Sequence, residues 1–183
     1  MTDTRTKNTD KSLYADVNKD RESEIQYDFS MVKPVFTIGP SPQARAIREE
    51  VFVREQGFEE EFDEADASSI SLVLYFDGNP IATGRLVKVD PATYSIGRVA
   101  VRKPFRGKNV GTYLMEFLFE KARELGALTV LVHAQLDKQH FYRRLGFIDD
   151  QDGLVDYEQD VAHIHLRKAL YDRAHFRKRK GSL

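Results

Sequence analysis

Hydrophobic and polar residues alternate along this chain with two different periods, and these periods predict the order of its helices and strands. Apolar residues recur at steps of three and four across residues 114–125, which predicts an amphipathic helix ended by Gly126. An earlier helix is predicted from the N-cap Ser41, with Pro42 in its first turn, to about residue 56. The residues expected to face the core in that helix are Ile47 and Val51.

Short runs rich in β-branched and aromatic residues predict a series of strands separated by turns. The Asp77-Gly78 step between two of these runs is typical of a β-hairpin. A short helix is predicted to end at Gly146, and the polar residues 149–160 are interpreted as a loop. Together the elements predict an α+β domain with a mixed, mostly antiparallel sheet flanked by helices. The predicted strands are residues 35–38, 71–76, 81–89, 94–102, 128–132 and 162–167.

The two ends of the chain differ in composition from its middle. This difference predicts the limits of a single domain. Residues 1–33 are rich in Asp, Lys, Ser, Thr and Asn and are expected to be a disordered N-terminal extension. Residues 34–170 have the apolar content of one domain, and residues 171–183 form a basic tail. Within the domain, the acidic run 59–66 is interpreted as an exposed loop.

The composition restricts the class of function. The chain of 183 residues has no cysteine, which excludes disulfides, cysteine metal sites and a cysteine nucleophile. With 28 Lys and Arg against 29 Asp and Glu, its net charge is -1, so no overall field favours nucleic acid. No apolar run reaches the roughly 18 residues of a membrane span, and the first residues lack a secretory pattern. We therefore expect a cytoplasmic protein with no membrane partner.

The stretch 106–112, Arg-Gly-Lys-Asn-Val-Gly-Thr, lies between a predicted strand and the amphipathic helix. A glycine-containing turn that opens a helix leaves backbone N–H groups unpaired at the positive end of the helix dipole. Such a turn suits phosphate or pyrophosphate. Because the glycine spacing of nucleoside-triphosphate loops and of dinucleotide loops is missing, the stretch predicts a phosphate site of another kind.

This stretch resembles the Arg/Gln-x-x-Gly-x-Gly/Ala motif of the GNAT family of acyl-CoA-dependent N-acyltransferases, with Asn109 in place of the middle glycine. Asn is among the residues that most readily adopt the left-handed backbone that glycine provides. The resemblance implies the GNAT fold, with loop amides that bind the pyrophosphate of acetyl-CoA as co-substrate. The residues implied in that contact are Arg106, Gly107, Lys108, Asn109, Val110, Gly111 and Thr112.

The run from His133 to Phe147, which ends in Phe-Tyr-x-x-x-Gly-Phe, resembles the other cofactor motif of the family. The resemblance implies that Tyr142 is the general acid for the leaving thiolate, and an ordinary phenol pKa near ~10 keeps such a donor protonated. Gln135 stands where many members have an Asn that contacts the pantetheine arm. The strand before the loop is implied to offer main-chain groups to pantetheine and to the acyl carbonyl, at Val99, Ala100 and Val101.

Further patterns resemble a bacterial-type subgroup of small acetyltransferases. They are the run from Ile47 to Gln56, the acidic pattern Glu61-x-Asp63-x-x-Asp66 and the ending at residues 163–167. A carboxylate near the reacting amine can serve as general base, and several together favour a small cationic amine. The candidate bases are Glu61, Asp63, Glu64 and Asp66.

Histidines offer a second kind of candidate chemistry. His163 and His165 lie two apart on a predicted strand and share one face. With no cysteine and no third ligand at a telling spacing, no metal site is expected. His133 and His140 flank the second motif and are candidates for proton relay.

The resemblance as a whole implies an N-acetyltransferase that acts by direct attack of an amine on acetyl-CoA in a ternary complex. Homodimers are common among similar proteins, so a homodimer is compatible with it. The alternative function is a non-catalytic acyl-CoA-binding or protein-interaction module. Nucleic-acid binding through the basic tail is a weaker alternative, and it would fall steeply with salt.

Overall fold

The structure is a single mixed sheet with helices on both faces. The computed structural model describes residues 29–59 and 61–171. In the sheet the strands lie in the order 1-2-3-4-5-8-6, with the seventh strand paired to the eighth. All pairs are antiparallel except that of the fourth and fifth. The strands are β1 (Val32–Ile38), β2 (Ile70–Phe76), β3 (Asn79–Asp90), β4 (Thr93–Val101), β5 (Thr129–Gln135), β6 (Ile148–Asp149), β7 (Val155–Glu158) and β8 (Val161–Ala169).

The helices are α1 (Pro42–Arg48), α2 (Val110–Glu124) and α3 (Gln139–Arg144), and α1 continues into a π-helical segment at Glu49–Glu55. The predicted N-cap is confirmed, since the Ser41 hydroxyl accepts a hydrogen bond of 3.2 Å from the Ala44 N–H. The predicted core residues of this helix are also confirmed as buried, namely Ile47 and Val51. Within the described residues, none of the helices is long and apolar enough to cross a membrane.

The main core lies between α2 and one face of the sheet. Leu114, Leu118 and Ala122 of α2 are fully buried, as their three- and four-residue spacing predicts. Each buried leucine contributes roughly 1.5–3 kcal/mol to stability. The opposite face of the sheet is covered by α1, which packs against Val73 and Ala100. The sheet therefore has helices on both faces, as the α+β prediction requires.

The predicted hairpin between β2 and β3 is confirmed. Asp77 and Gly78 have φ angles of 48° and 73°, which is the type I′ geometry that matches the twist of antiparallel strands. This hairpin fixes the register of β3 against β2, and the other edge of β3 pairs with β4.

Two predicted boundaries are wrong. β1 begins at Val32, inside the predicted disordered extension, because Val32 is buried and pairs with Phe76 of β2. The predicted polar loop 149–160 contains β7, which was missed because an edge strand with one exposed face is rich in polar residues. The remaining predictions for residues 1–28 and for the basic tail from residue 172 onward lie outside the described residues.

Candidate active site

β4 and β5 run side by side only over their first residues. Their parallel pairing joins 93–96 of β4 to 129–132 of β5. Beyond these residues, in the described part of the chain, β4 pairs with β3 and β5 pairs with β8. Two strand edges therefore face each other with main-chain groups that an extended ligand can pair with. Val99, Ala100 and Val101, predicted from the sequence to offer such groups, lie on the β4 edge.

A β-bulge shapes the β4 side of this opening. The register shifts between Thr83 and Arg85 of β3, which leaves Arg98 and Val99 opposite a single residue. Arg98 has a φ of 53°, which is uncommon for a residue with a side chain. Because a bulge bends its strand and increases its twist, it helps to turn β4 away from β5.

α2 begins beside this opening with an uncapped turn. Asn109 adopts the left-handed conformation predicted for it, with φ 59°, and its side chain makes no capping hydrogen bond to the described helix. The first intrahelical bond runs from the Tyr113 N–H to the Asn109 carbonyl at 3.1 Å. The N–H groups of Val110, Gly111 and Thr112 precede that bond and have no intrahelical acceptor. The dipole of α2, a helix of 15 residues, adds positive potential at these N–H groups, so this turn is suited to an anion.

Gly111 lies where the first turn of α2 meets α3 and β4. A Cβ atom at Gly111 would lie 3.4 Å from two ring carbons of Phe141 and 3.9 Å from Val101 Cγ2. These are ordinary van der Waals distances, so the first turn of α2 packs closely against α3 and β4 and has room for no more than a small side chain here. The two sequence motifs, 106–112 and 133–147, are brought into contact at this point.

Arg106 is held by an ion pair that connects the loop to the π-helical segment. Its Nη1 and Nη2 atoms donate to the Glu55 carboxylate at 2.5 and 2.8 Å, and its Nε donates to the Val101 carbonyl at 2.8 Å. The hydrogen bond from Arg106 lowers the pKa of Glu55. Lys108 Nζ donates to the Pro104 carbonyl at 2.9 Å. Arg106 and Lys108, the two side chains predicted to add positive charge at the phosphate site, therefore both lie in this loop. Arg106 is paired with Glu55.

Gln135 is connected to the same segment from the other side. Its Nε2 donates to Gln56 Oε1 at 2.8 Å, and Gln56 directly follows Glu55 at the end of the segment. The segment thus contacts the loop after β4 and the end of β5, the two sides of the opening. The sequence predicts a helix and a subgroup pattern for the run 47–56, and its last two residues, Glu55 and Gln56, contact Arg106 and Gln135.

Tyr142 lies on α3 among aromatic rings. Its ring makes edge contacts with Phe141 at 5.0 Å and Phe147 at 5.7 Å between centroids. Burial raises the pKa of Tyr142 to about 12. A phenol with that pKa is protonated across the neutral range, which is the state a proton donor needs.

The acidic run is only in part the exposed loop that its composition predicts: Glu59, Asp63 and Glu64 are exposed, whereas Glu61 and Asp66 are buried. Arg48, itself buried, binds Glu61 through Nε at 2.7 Å and Asp66 through Nη1 at 2.7 Å and Nη2 at 2.9 Å. Glu61 and Asp66 are 5% and 4% exposed. Arg48 belongs to one subgroup pattern and the two carboxylates to another. The two patterns therefore form one buried ion-pair network.

Two more arginines complete this network. Arg85 binds Asp63 at 2.6 and 2.9 Å, and Arg98 at the bulge lies 3.3 Å from Glu61 Oε1 and 3.2 Å from Asp63 Oδ2. Burial raises the pKa of Glu61 above its ordinary value. Burial alone would also raise the pKa of Asp66, but hydrogen bonds from Arg48 and Arg85 outweigh it and lower that pKa to about 2.

The network corrects two expectations about chemistry. The carboxylates Glu61, Asp63 and Asp66 are matched by the guanidinium groups of Arg48, Arg85 and Arg98. Since opposite charges are balanced, these acids create no net field for a cationic amine. Since Glu61 and Asp66 are also buried, neither is placed as an accessible base. The fourth candidate, Glu64, starts a short 3₁₀ turn over residues 64–68.

Histidines from two strands share the face of the sheet that α1 covers. His133 of β5 lies opposite His165 of β8, and their rings stack at 4.4 Å. Both contact Asp156 of β7, a residue that sequence reasoning missed because it lay in a supposed loop. His163 is buried next to them, whereas His140 is exposed on α3.

Comparison with known proteins agrees with this arrangement. The model of the acetyltransferase (GNAT) family matches residues 40–147. An uncharacterized N-acetyltransferase of Bacillus subtilis, YjcF, is 34% identical over 126 residues, which cover 67% of this chain and 87% of YjcF. An acyl-CoA N-acyltransferase from Pseudomonas aeruginosa has a solved structure with a TM-score of 0.66 and 30% identity, covering 75% of this chain and 99% of that one. Escherichia coli ElaA is similar at a TM-score of 0.65 and 27% identity, covering 75% and 99%.

The fold and the uncapped turn beside the open strand pair are those expected of acyl-CoA-dependent N-acyltransferases. Since the family model spans more than half of the sequence, the chain belongs to the GNAT acetyltransferase family.

Proposed function

We propose that this protein is an N-acetyltransferase that transfers the acetyl group of acetyl-CoA to an amine by direct attack in a ternary complex. The observation that carries the proposal is the uncapped start of α2, at Asn109, next to the strand edges that separate beyond Ile96 and Val132. Together they offer an anion site and an extended main-chain site in one place.

The pyrophosphate site is formed by the N–H groups at residues 110–112. These N–H groups precede the first intrahelical hydrogen bond. Asn109 leads into the helix with a left-handed backbone, and its side chain makes no capping hydrogen bond to these N–H groups. Lys108 and Arg106 add positive charge beside the turn, and charge-assisted contacts to phosphate oxygens are stronger than neutral ones. Arg106 must leave Glu55, or share itself with it, to reach the pyrophosphate.

The acyl and pantetheine site is formed by the β4 edge. A main-chain group at Val99 pairs with an amide of the pantetheine arm, beside Ala100, which is opposite Thr83 of β3, and an N–H near Val101 donates to the acyl carbonyl oxygen. That hydrogen bond stabilises the negative charge that develops on the oxygen during attack. Gln135, at the end of β5, faces the arm from the other side.

Tyr142 protonates the leaving sulfur. Acetyl-CoA supplies an activated thioester; the amine nitrogen forms the new bond to its carbonyl carbon, and the C–S bond breaks. The sulfur takes the phenolic proton of Tyr142, which a pKa of about 12 keeps in place at neutral pH. The amine gives up its own proton to water. Tyr142 recovers a proton from solvent before the next cycle.

The acidic run does not select the charge of the acceptor amine. The preference for a small cationic amine rested on carboxylates that are neutralised by arginines in the structure. We therefore propose the amine without a charge preference, and a screen needs neutral and cationic acceptors alike.

The function is tested by measuring release of free CoA from acetyl-CoA with a panel of amines. We expect amine-dependent release by the wild type, and a loss of roughly 10²- to 10⁴-fold in kcat for Tyr142→Phe with acetyl-CoA binding retained. Tyr157→Phe is the matched control, because Tyr157 is 74% exposed on β7. Acetyl-CoA binding with no release for any amine would instead favour the non-catalytic acyl-CoA-binding module.

A further inference from the structure

Three strands bring two histidines and one carboxylate to a single point on the face that α1 covers. His133 of β5 pairs directly opposite His165 of β8, so their side chains share a face. Asp156 of β7 pairs opposite His163 of β8, two residues from His165, which puts it on that face as well. The side chains are up to 32 residues apart in sequence, and only the sheet brings them together.

The imidazoles direct the same ring atom toward the same carboxylate. His133 Nε2 lies 2.5 Å from Asp156 Oδ1, and His165 Nε2 lies 3.1 Å from Asp156 Oδ2. The rings stack with centroids 4.4 Å apart and planes 20° from parallel. One ligand atom from each of the three residues lies within 4.8 Å of the others.

We propose that His133, Asp156 and His165 bind a divalent transition-metal ion of the zinc type. Two imidazole nitrogens and one carboxylate oxygen are donors that suit Zn²⁺, Co²⁺ or Ni²⁺, whereas Mg²⁺ and Ca²⁺ prefer oxygen alone. The proposal does not depend on the proposed transferase activity.

The ligand atoms are close enough for such an ion once the two stacked rings tilt so that both Nε2 lone pairs meet at it. Metal–ligand distances of about 2.0–2.2 Å in tetrahedral geometry put ligand atoms roughly 3.3 Å apart, so the carboxylate and the rings must shift by about an ångström. The side chains of His133 and Asp156 are 33% and 45% exposed, which leaves them room to do so. The fourth position is open to water or to another ligand.

The surroundings provide an outer partner and negative charge. Glu158 Oε2 lies 3.9 Å from His133 Nδ1, the ring nitrogen that faces away from the proposed ion, and 4.0 Å from His163 Nε2. At 3.9 Å Glu158 does not accept a hydrogen bond from His133, and a small shift of its side chain would let it accept one from the Nδ1–H, which would orient the ring and increase its basicity. Arg98 Nη1 lies 3.9 Å from Glu158 Oε1 and balances part of its charge. The His163 ring is committed elsewhere through its Nδ1, 2.8 Å from the Val161 carbonyl.

The proposal is tested by titrating Zn²⁺ into the full chain after treatment with a chelator, using calorimetry, with Mg²⁺ as the control cation. We expect one Zn²⁺ per chain, no Mg²⁺ binding, and a higher melting temperature with Zn²⁺ because the ion joins three strands. His133→Gln, Asp156→Asn and His165→Gln should each weaken binding by at least the roughly 10–100-fold that outer-partner changes cause. His140→Gln, an exposed histidine on α3, should bind like the wild type.

Circular dichroism of each variant without metal shows whether it is folded, so a loss of binding can be separated from a loss of structure. Failure of the folded wild type to bind Zn²⁺ would overturn the proposal. Binding of similar strength in the three site variants would also overturn it, since the ion would then lie elsewhere on the chain.

Discussion

The guanidinium group of Arg106 and the carboxylate of Glu55 form a two-pronged ion pair, with N–O distances of 2.5 and 2.8 Å, across 51 positions of sequence. This pair connects the loop 106–112 to the π-helical segment, and the same segment contacts Gln135 through Gln56. The residue expected to contact pyrophosphate is therefore paired with a carboxylate in the unliganded protein. On the proposed function, acetyl-CoA and the ion pair therefore compete for one cation.

This competition predicts opposite effects of changing the two partners. Arg106→Ala should weaken acetyl-CoA binding roughly tenfold, because one charge-assisted hydrogen bond is lost. Glu55→Gln should tighten binding, because its carboxylate, whose pKa is lowered by Arg106, no longer holds the guanidinium. Calorimetry with acetyl-CoA measures both. Glu49→Gln in the same segment is the matched control, since Glu49 pairs with Arg54 at the surface. Equal weakening by the Arg106 and Glu55 variants would mean that the pair only supports the loop.

The buried network predicts a large effect on stability for one arginine and a small effect for another. Arg48→Ala should lower the free energy of unfolding by about 3–5 kcal/mol, because it leaves Glu61 and Asp66 buried without their partner. Arg54→Ala should change it by less than about 0.5 kcal/mol, because the Arg54–Glu49 pair is exposed. Urea denaturation at neutral pH measures both variants. Similar losses for the two arginines would contradict the assigned burial.

The lowered pKa of Asp66 predicts a loss of stability in acid. Its pKa is about 2 in the folded protein against an ordinary 3.8, so the unfolded chain binds more protons between these values. The contribution of Asp66 is therefore complete above about pH 4 and is lost as the pH falls toward 2. The pH dependence of the contribution of Glu61 to stability has the opposite sign. Because its pKa is raised in the folded protein, that contribution is largest in acid and is lost as the pH rises. Denaturation curves between pH 5 and 2 should show the decline in the wild type and a shallower one in Asp66→Asn.

The raised pKa of Tyr142 predicts how kcat depends on pH under basic conditions. With a pKa of about 12 the phenol stays protonated through pH 10, so kcat should not decline there through ionisation of this group. The rate should instead rise as the amine loses its proton and then level off. A fall in kcat centred below pH 10 that is absent in Tyr142→Phe would contradict the assignment.

Local signals were sufficient to predict most elements from the sequence. Ser41 caps α1, the Asp77-Gly78 turn sets the β2–β3 hairpin, and Asn109 adopts the left-handed backbone that the loop requires. In each case the responsible residues are neighbours in the chain, so their chemistry can be recognised there. The spacing of apolar residues in α2 is equally local.

Features that depend on distant partners were not predicted. Glu61 and Asp66 appear as part of a solvated acidic run until Arg48, 13 and 18 positions earlier, is found against them. Asp156 has its partners on two other strands: His133 is 23 positions away, and the polar composition of β7 predicts a loop. The pairing of Arg106 with Glu55 has the same origin. A charge pattern alone does not say which opposite charge the fold will bring to it.

The most direct test of the account is acetyl-CoA binding by calorimetry to the wild type, Asn109→Asp and Asn109→Gly. Aspartate has the size of asparagine and a negative charge near a helix start favours the helix, so this variant should fold while repelling pyrophosphate. Glycine accepts the φ of 59° without strain and adds no charge. We predict that the wild type and Asn109→Gly bind, and that Asn109→Asp binds at least about tenfold more weakly. No binding by the wild type, or equal binding by all three proteins, would contradict a cofactor site at the start of α2.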